Sequence, residues 1–348
     1  MPSDLMLANV VLGFLWSGIT AYVLLAGADF GAGLWDLLAG SATEGAPRRH
    51  RIEESIGPVW EANHVWLIFA LVVTWTAFPT VFAAIASTLY IPLTAAAFGV
   101  ILRGSTFAFR GAVREVSLQR LFGAVFATSS VLTPFFLGTV AGAIASGRVP
   151  LGIAQGNIIT SWLNPSSILG GALAVEVSAY LAAVYLTRDC ERHHETELAM
   201  YFQRRALVMG VITGITALAG IGILHADAPR LFDGLAHRGL PLVLASIIFG
   251  GLSILLLLRK HFVAVRMTAA LAVVAVLWAW GVGQYPDVLS GVVTVSGAAA
   301  PDQTLLPLVV ALAIGSAILV PSLLLLFNMF QHDVPVRPSQ TSSGSRSG

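Results

Sequence analysis

Nine stretches of this chain are apolar enough and long enough to cross a lipid bilayer as helices: 7–28, 58–77, 80–102, 119–145, 165–187, 205–224, 240–258, 264–283 and 305–330. This feature limits the fold most, because lipid cannot satisfy backbone polar groups. Helices are therefore expected and an open sheet is not. Composition agrees: 56% of the 348 residues are hydrophobic and 11% are charged, whereas a soluble globular chain carries about 25% charged residues. A net charge of +1 with no basic tract gives no sign of a nucleic-acid partner. The expected fold is an all-α integral membrane protein in a lipid bilayer. Its polytopic membrane domain covers 1–334, and a disordered Ser/Gly/Arg tail covers 335–348. No short tandem repeat is visible.

The basic residues set the expected orientation. Arg48, Arg49 and Arg51 fall in the first loop, and Arg103, Arg110, Arg114 and Arg120 in or beside the third. The fifth holds Arg188, Arg192, Arg204 and Arg205, and the seventh Arg259, Lys260 and Arg266. The even loops hold only Arg148, Arg230 and Arg238. The odd loops and the C-terminus are therefore expected in the cytoplasm and the N-terminus outside. No Lys or Arg precedes Arg48, so the positive segment of a cleavable secretory signal is missing. The eighth loop, 284–304, is expected to be an ordered or semi-ordered outer loop.

Ionisable side chains inside a span are costly and point to function by default. Three lie well inside: Glu61, His64 and Glu176. Glu61 and His64 belong to the run Gly-Pro-Val-Trp-Glu-Ala-Asn-His-Val-Trp-Leu at 57–67, and their spacing puts them on one helix face. Glu61 reads as a proton-relay carboxylate, or as a protonated acid hydrogen-bonded to Asn63 or to a neighbouring helix. His64 could assist a relay, ligate a metal or form a structural hydrogen bond. Trp60 and Trp66 bracket the motif and either shield it from water or simply pack. Glu176 has no assignable partner and reads equally as a structural acid or a proton-path member. Asp29 is expected at the C-terminal end of the first helix, where the helix dipole disfavours a carboxylate. It calls for a cation, and Arg103 is the natural candidate; otherwise both face water unpaired. Glycines at 27, 31 and 33 allow another helix or a ligand to approach closely.

A haem held by two histidines needs both at depth. Histidines 50, 193, 194, 225, 237, 261 and 332 all fall in expected loops or at helix ends, so this chain alone is a poor haem protein, and no metal site is expected on it. Cys190 is the only cysteine, placed in a charged loop, so no intrachain disulfide forms. No phosphate loop, dinucleotide fingerprint, Ser-His-Asp set or Cys-x-x-Cys pair offers another chemistry.

Several segments occur in a telling order: the Asp29 region, the 57–67 run, Phe78-Pro79, Tyr90-Ile-Pro-Leu93, Arg103-Gly-Ser-Thr-Phe-Ala-Phe-Arg110 and Gly283-Gln-Tyr-Pro286. On these the chain resembles subunit II of a cytochrome bd-type terminal quinol oxidase, up to about residue 330. The resemblance implies a bacterial cell-membrane complex that oxidises quinol and reduces dioxygen to water. It also implies haem b and haem d-type groups in a partner, subunit I, and leaves room for a small accessory subunit. By position, Glu61 matches a carboxylate on the proton path from the cytoplasm, usually Asp in the family. His64 stands where members often have Gln or Glu. Asp29 and Arg103 match an acidic and a basic residue near a bound quinone in some members, and Trp60 and Asn63 are further candidates for cofactor contact. Two other classes compete. One is a proton-coupled transporter using Glu61 and His64 as its coupling site; the other is a non-catalytic assembly scaffold.

Overall fold

The computed structural model describes residues 3–41, 43–110 and 116–331; the side chains of 56–62 and of a few other helical residues lie outside the description. The expected tail at 335–348 lies outside the described residues. Twelve helices and one small ribbon follow in order: α1 (Ser3–Leu37), α2 (Ala46–Ala77), α3 (Pro79–Thr88), α4 (Tyr90–Arg110), α5 (Val116–Ala145), α6 (Pro165–Arg192), α7 (Thr196–Asp227), α8 (Pro229–His237), α9 (Leu240–Leu258), α10 (Phe262–Gln284), β1 (Asp287–Leu289), β2 (Val293–Thr294), α11 (Val295–Ala298) and α12 (Asp302–Gln331). The fold is that of an all-α membrane protein. Among the described residues seven helices are long and apolar enough to cross a membrane, or eight if the bent pair α2–α3 counts as one span. The two long helices outside that seven, α2 and α4, are those carrying Glu61, Asn63 and Arg103.

Two proline joints shape the chain. Proline lacks an N–H and disfavours helical geometry in the residue before it. Phe78, before Pro79, takes φ −134° and ψ 59°, and Ala228, before Pro229, takes φ −135° and ψ 59°. At the first joint the chain turns by 119°. The expected span 80–102 is therefore not one helix: it divides into short α3 and, past Leu89, the longer α4. The other bounds also shift. α1 runs to Leu37 rather than 28, so Asp29 is interior to it. α6 runs to Arg192, so Cys190 sits in a helix, fully buried, and not in a loop.

The joints also reveal an internal repeat that the sequence hid. Long, long, short, medium and long helices run from α1 to α5, and again from α6 to α10. Pro79 answers to Pro229 and Tyr90 to Leu240; the same interval carries Asn63 to Thr213 and Arg103 to Ser253. α1 and α6 pack together at the centre, where Gly31 lies directly on the Ser178 carbonyl and leaves no room for a side chain.

Contacts sort the loops onto two faces. On one, Arg51 Nε donates to Glu195 at 2.8 Å and the Tyr201 hydroxyl to the Leu38 carbonyl at 3.3 Å. Gln203 donates there to the Leu257 carbonyl at 2.7 Å. These join the first, fifth and seventh loops. On the other face Arg148 grips Asp227 at 3.0 and 2.5 Å. Gly147 abuts the Ser290 carbonyl, and Ala300 N–H reaches the Ala77 carbonyl at 2.8 Å. The connection between α10 and α12 is ordered there. β1 and β2 pair antiparallel, Asp287 opposite Thr294 and Leu289 opposite Val293.

One apolar core surrounds α6, with Leu181, Phe202 and Leu257 fully buried. The other joins the start of α1 to the end of α2, α3 and α12 through Val11, Phe78 and Leu305.

Candidate functional site

The most polar interior point lies where α1, α2, α4 and α5 meet. Asp29 and Arg103 form an ion pair at 2.5 Å, with side-chain exposures of 0% and 1%. The same guanidinium nitrogen donates to the Asp29 backbone carbonyl at 2.9 Å. Its neighbour donates to the Ser130 hydroxyl. Asn63, from α2, donates its amide to the other Asp29 oxygen at 2.8 Å. The guanidinium carbon lies over two aromatic rings, 4.2 Å from the centroid of Phe126 and 5.3 Å from that of Phe30. Arginine suits this position because its planar fork can both pair with a carboxylate and stack on rings.

Glycine makes the approach possible. A Cβ at Gly33 would strike Ser130 and stand 2.7 Å from the Arg103 guanidinium. The expected Asp29–Arg103 pairing is present, but for a different reason from the one first given. Asp29 is interior to α1, so burial rather than the helix end makes a cation necessary. At the cluster's edge, the Tyr22 hydroxyl and Arg103 Nε are buried without a hydrogen-bond partner. Sequence reasoning missed Ser130, Tyr22 and Phe126. The one available signal was Thr128-Ser129-Ser130, a polar break in an apolar span.

The other predicted residues spread out. Glu61 and Trp60 lie in α2, but their side chains are outside those described. Asn63 joins the cluster; His64, next along α2, is half-buried. Trp66 packs edge-on against Phe69. Glu176 belongs to the other half. Its Oε1 accepts from the Thr216 hydroxyl at 3.0 Å, whereas Oε2 is buried without a partner.

Among the described residues, no two histidines stand together at depth as a haem held by two histidines needs. His64 is the one described histidine within the polar stretch of a span; His225, near the end of α7, packs edge-on against Phe232. No group of three His, Cys, Asp or Glu side chains among the described residues could hold a metal ion.

A family model, cytochrome bd terminal oxidase subunit II, matches residues 7–330. The chain belongs to that family. Cytochrome bd ubiquinol oxidase subunit 2 of Bacillus subtilis is 27% identical over 210 residues, covering 59% of this chain and 60% of the relative. The bd-I ubiquinol oxidase subunit 2 of Escherichia coli K12 is 27% identical over 229 residues, 62% of this chain and 58% of the relative. In both cases the match spans under two thirds of the relative's own length. A putative cytochrome bd menaquinol oxidase subunit II of B. subtilis is 22% identical over 341 residues, 94% of this chain and 96% of the relative. Among solved structures, bd oxidase from Geobacillus thermodenitrificans matches with a TM-score of 0.74 and 23% identity, over 93% of this chain and 98% of that one. That likeness concerns the fold.

Proposed function

We propose that the chain serves as subunit II of a bd-type terminal oxidase, in a bacterial membrane complex that oxidises quinol and reduces dioxygen to water. The family match along residues 7–330 carries this reading. The haems, of b and d type, belong to a partner subunit I, as the resemblance implies and as the sequence, with His64 its one histidine well inside an expected span, supports. The printed names of the relatives differ between ubiquinol and menaquinol, so the substrate proposed is a membrane quinol as a class. Counting α2 and α4 as crossings beside the seven apolar helices gives nine, and on that count the arginine-rich face lies in the cytoplasm and the N-terminus outside, as the basic-residue bias suggests.

Within that reading, Glu61 takes up protons from the cytoplasmic side. Its place on α2, between the arginines at the helix start and buried Asn63, supports this. His64, one turn further, extends the path. Asp29, Arg103 and Asn63 act chiefly by position: they hold α1, α4 and α5 around the segment bearing Glu61. A quinone at Asp29 and Arg103, as the resemblance suggests, requires the enclosing helices to part, since both side chains are covered. Glu176 is a secondary candidate for proton transfer.

The test is Glu61→Gln in the purified complex. Assembly and the reduced-minus-oxidised haem spectrum should persist while oxygen uptake falls about tenfold or more. Unchanged uptake would remove the relay role. A colourless protein without a haem-bearing partner would favour the proton-coupled transporter.

A further inference from the structure

On the face opposite the arginine-rich loops, a cleft of about 420 Å³ opens between α8, the end of α10 and the β1–β2 ribbon. Its wall carries both signs of charge, Arg230 and Arg238 beside Asp233 and Asp287, with the His237 imidazole among them. Two of these groups are committed to the fold. Arg238 donates to the backbone carbonyls of Tyr285 and Gly283. Asp287 Oδ2 accepts from Gly291 N–H at 2.7 Å, fixing the ribbon's turn.

Arg230 and Asp233 are different. They stand one turn apart on α8, both exposed, and neither forms an ion pair with any described residue. Arg230 is nevertheless placed. Its guanidinium lies over Gly291, where φ is +66° and where any side chain would collide with it. α8 itself is fixed by Leu231, buried against Ala145 and Ala228, and by Gly234, which abuts the Gly283 carbonyl. The cleft thus presents a held cation and a separate anion beside the ends of membrane helices.

We propose that this cleft binds the headgroup of a phospholipid bearing a phosphate and a primary ammonium, as in phosphatidylethanolamine. The phosphate pairs with Arg230, with Arg238 adding charge behind it, because a guanidinium fork matches phosphate oxygens. The ammonium pairs with Asp233. A simple anion would leave Asp233 opposed, and a simple cation would leave Arg230 opposed; a zwitterion of this polarity satisfies both. The lipid source follows from location, since Arg238 of the cleft wall stands two residues before α9, whose first turns present exposed Leu240 and Leu244.

The complex, purified from membranes and stripped of lipid by detergent, is titrated with phosphatidylethanolamine, phosphatidylglycerol and phosphatidylcholine, and retained lipid is read by native mass spectrometry. Phosphatidylethanolamine should be held about tenfold more tightly than either of the others. Arg230→Gln should weaken it about tenfold. Asp233→Asn should lower it to the phosphatidylglycerol level without changing phosphatidylglycerol itself. Equal retention of the three lipids by the parent protein overturns the proposal, as does unchanged retention in both variants. Soluble phosphoethanolamine competing as well as the intact lipid would overturn the lipid source. Should Arg230→Gln fail to assemble, the exposed Asp233→Asn variant decides alone.

Discussion

The two halves of the molecule follow one plan and differ at one level of the bundle. In the half from α1 to α5, the carboxyl of Asp29 faces α2 and meets Asn63 and Arg103, which also donates to the Asp29 backbone carbonyl. In the half from α6 to α10, Glu176 likewise faces the following helix but meets only the Thr216 hydroxyl. The position answering to Arg103 is Ser253, which pairs with the Tyr180 hydroxyl. The position answering to Asn63 is Thr213, whose hydroxyl is buried without a partner. The second half assembles the same helices with no cation at this level. Because a buried ion pair is weak evidence for stability, the first half's pair is better explained by what it positions than by what the scaffold needs.

The largest expected effect tests that contrast directly. Arg103→Met leaves the Asp29 charge buried and uncompensated, which should cost about 3–5 kcal/mol. Ser253→Ala removes one hydroxyl contact from Tyr180 and should cost about 1 kcal/mol. Thermal unfolding of the detergent-solubilised complex measures both. Equal losses would mean that the cation is no more than another packing group. Adding Asp29→Leu to Arg103→Met should restore part of the loss, since the stranded charge goes with it.

A smaller effect separates the two acids. Asp29→Asn exchanges a charge-assisted pair for a neutral one and leaves Arg103 stranded, so it should destabilise by about 3 kcal/mol or more. Glu176→Gln keeps an oxygen for Thr216 and strands no cation, so its cost should stay near or below about 1 kcal/mol. Should Glu176→Gln slow oxygen uptake while leaving the melting temperature in place, the second half would also hold a proton-transfer group, and the functional contrast between the halves would narrow.

Much of this was legible in the residues, and the misses have physical causes. Long apolar stretches gave the helices, because lipid leaves few alternatives. Bounds failed where burial inside the bundle let a helix carry polar residues: α1 continues through Asp29 to Leu37, and α6 past Asp189 and Cys190. α8 was missed because Arg230, Asp233 and His237 mark one side of it as surface, and a short helix lying at the surface has no apolar run to reveal it. The repeat was invisible because the halves share helix lengths and a proline joint while their side chains differ, as Arg103 and Ser253 do. Asp29 and Arg103 stood out as charges in an apolar chain. Ser130 and Tyr22 did not, since hydroxyls are common in membrane helices and only packing brings these two to the pair.

The halves are also tied at the rim, and there the expected effect is smallest. Arg51, near the start of α2, holds Glu195, the residue preceding α7, through a forked contact. The hydrogen bond from Arg51 and the charge behind it lower the Glu195 carboxyl below its ordinary value of 4.5. A carboxyl depressed by folding contributes stability above its unfolded value and loses it as the pH falls through the folded one. This tie should therefore be fully present at neutral pH, begin to weaken as the pH falls through about 4.5, and vanish once Glu195 is protonated in the folded protein. Glu195 remains 32% exposed, and solvent-screened pairs contribute about 0–1 kcal/mol, so the change in melting temperature should be slight. Glu195→Gln should lose the tie at every pH and flatten the acid limb of the stability profile by that amount. An unchanged acid limb in the variant would show that the Arg51–Glu195 tie adds no cohesion, leaving the halves joined by helix packing such as α1 on α6 and by contacts such as Arg148–Asp227.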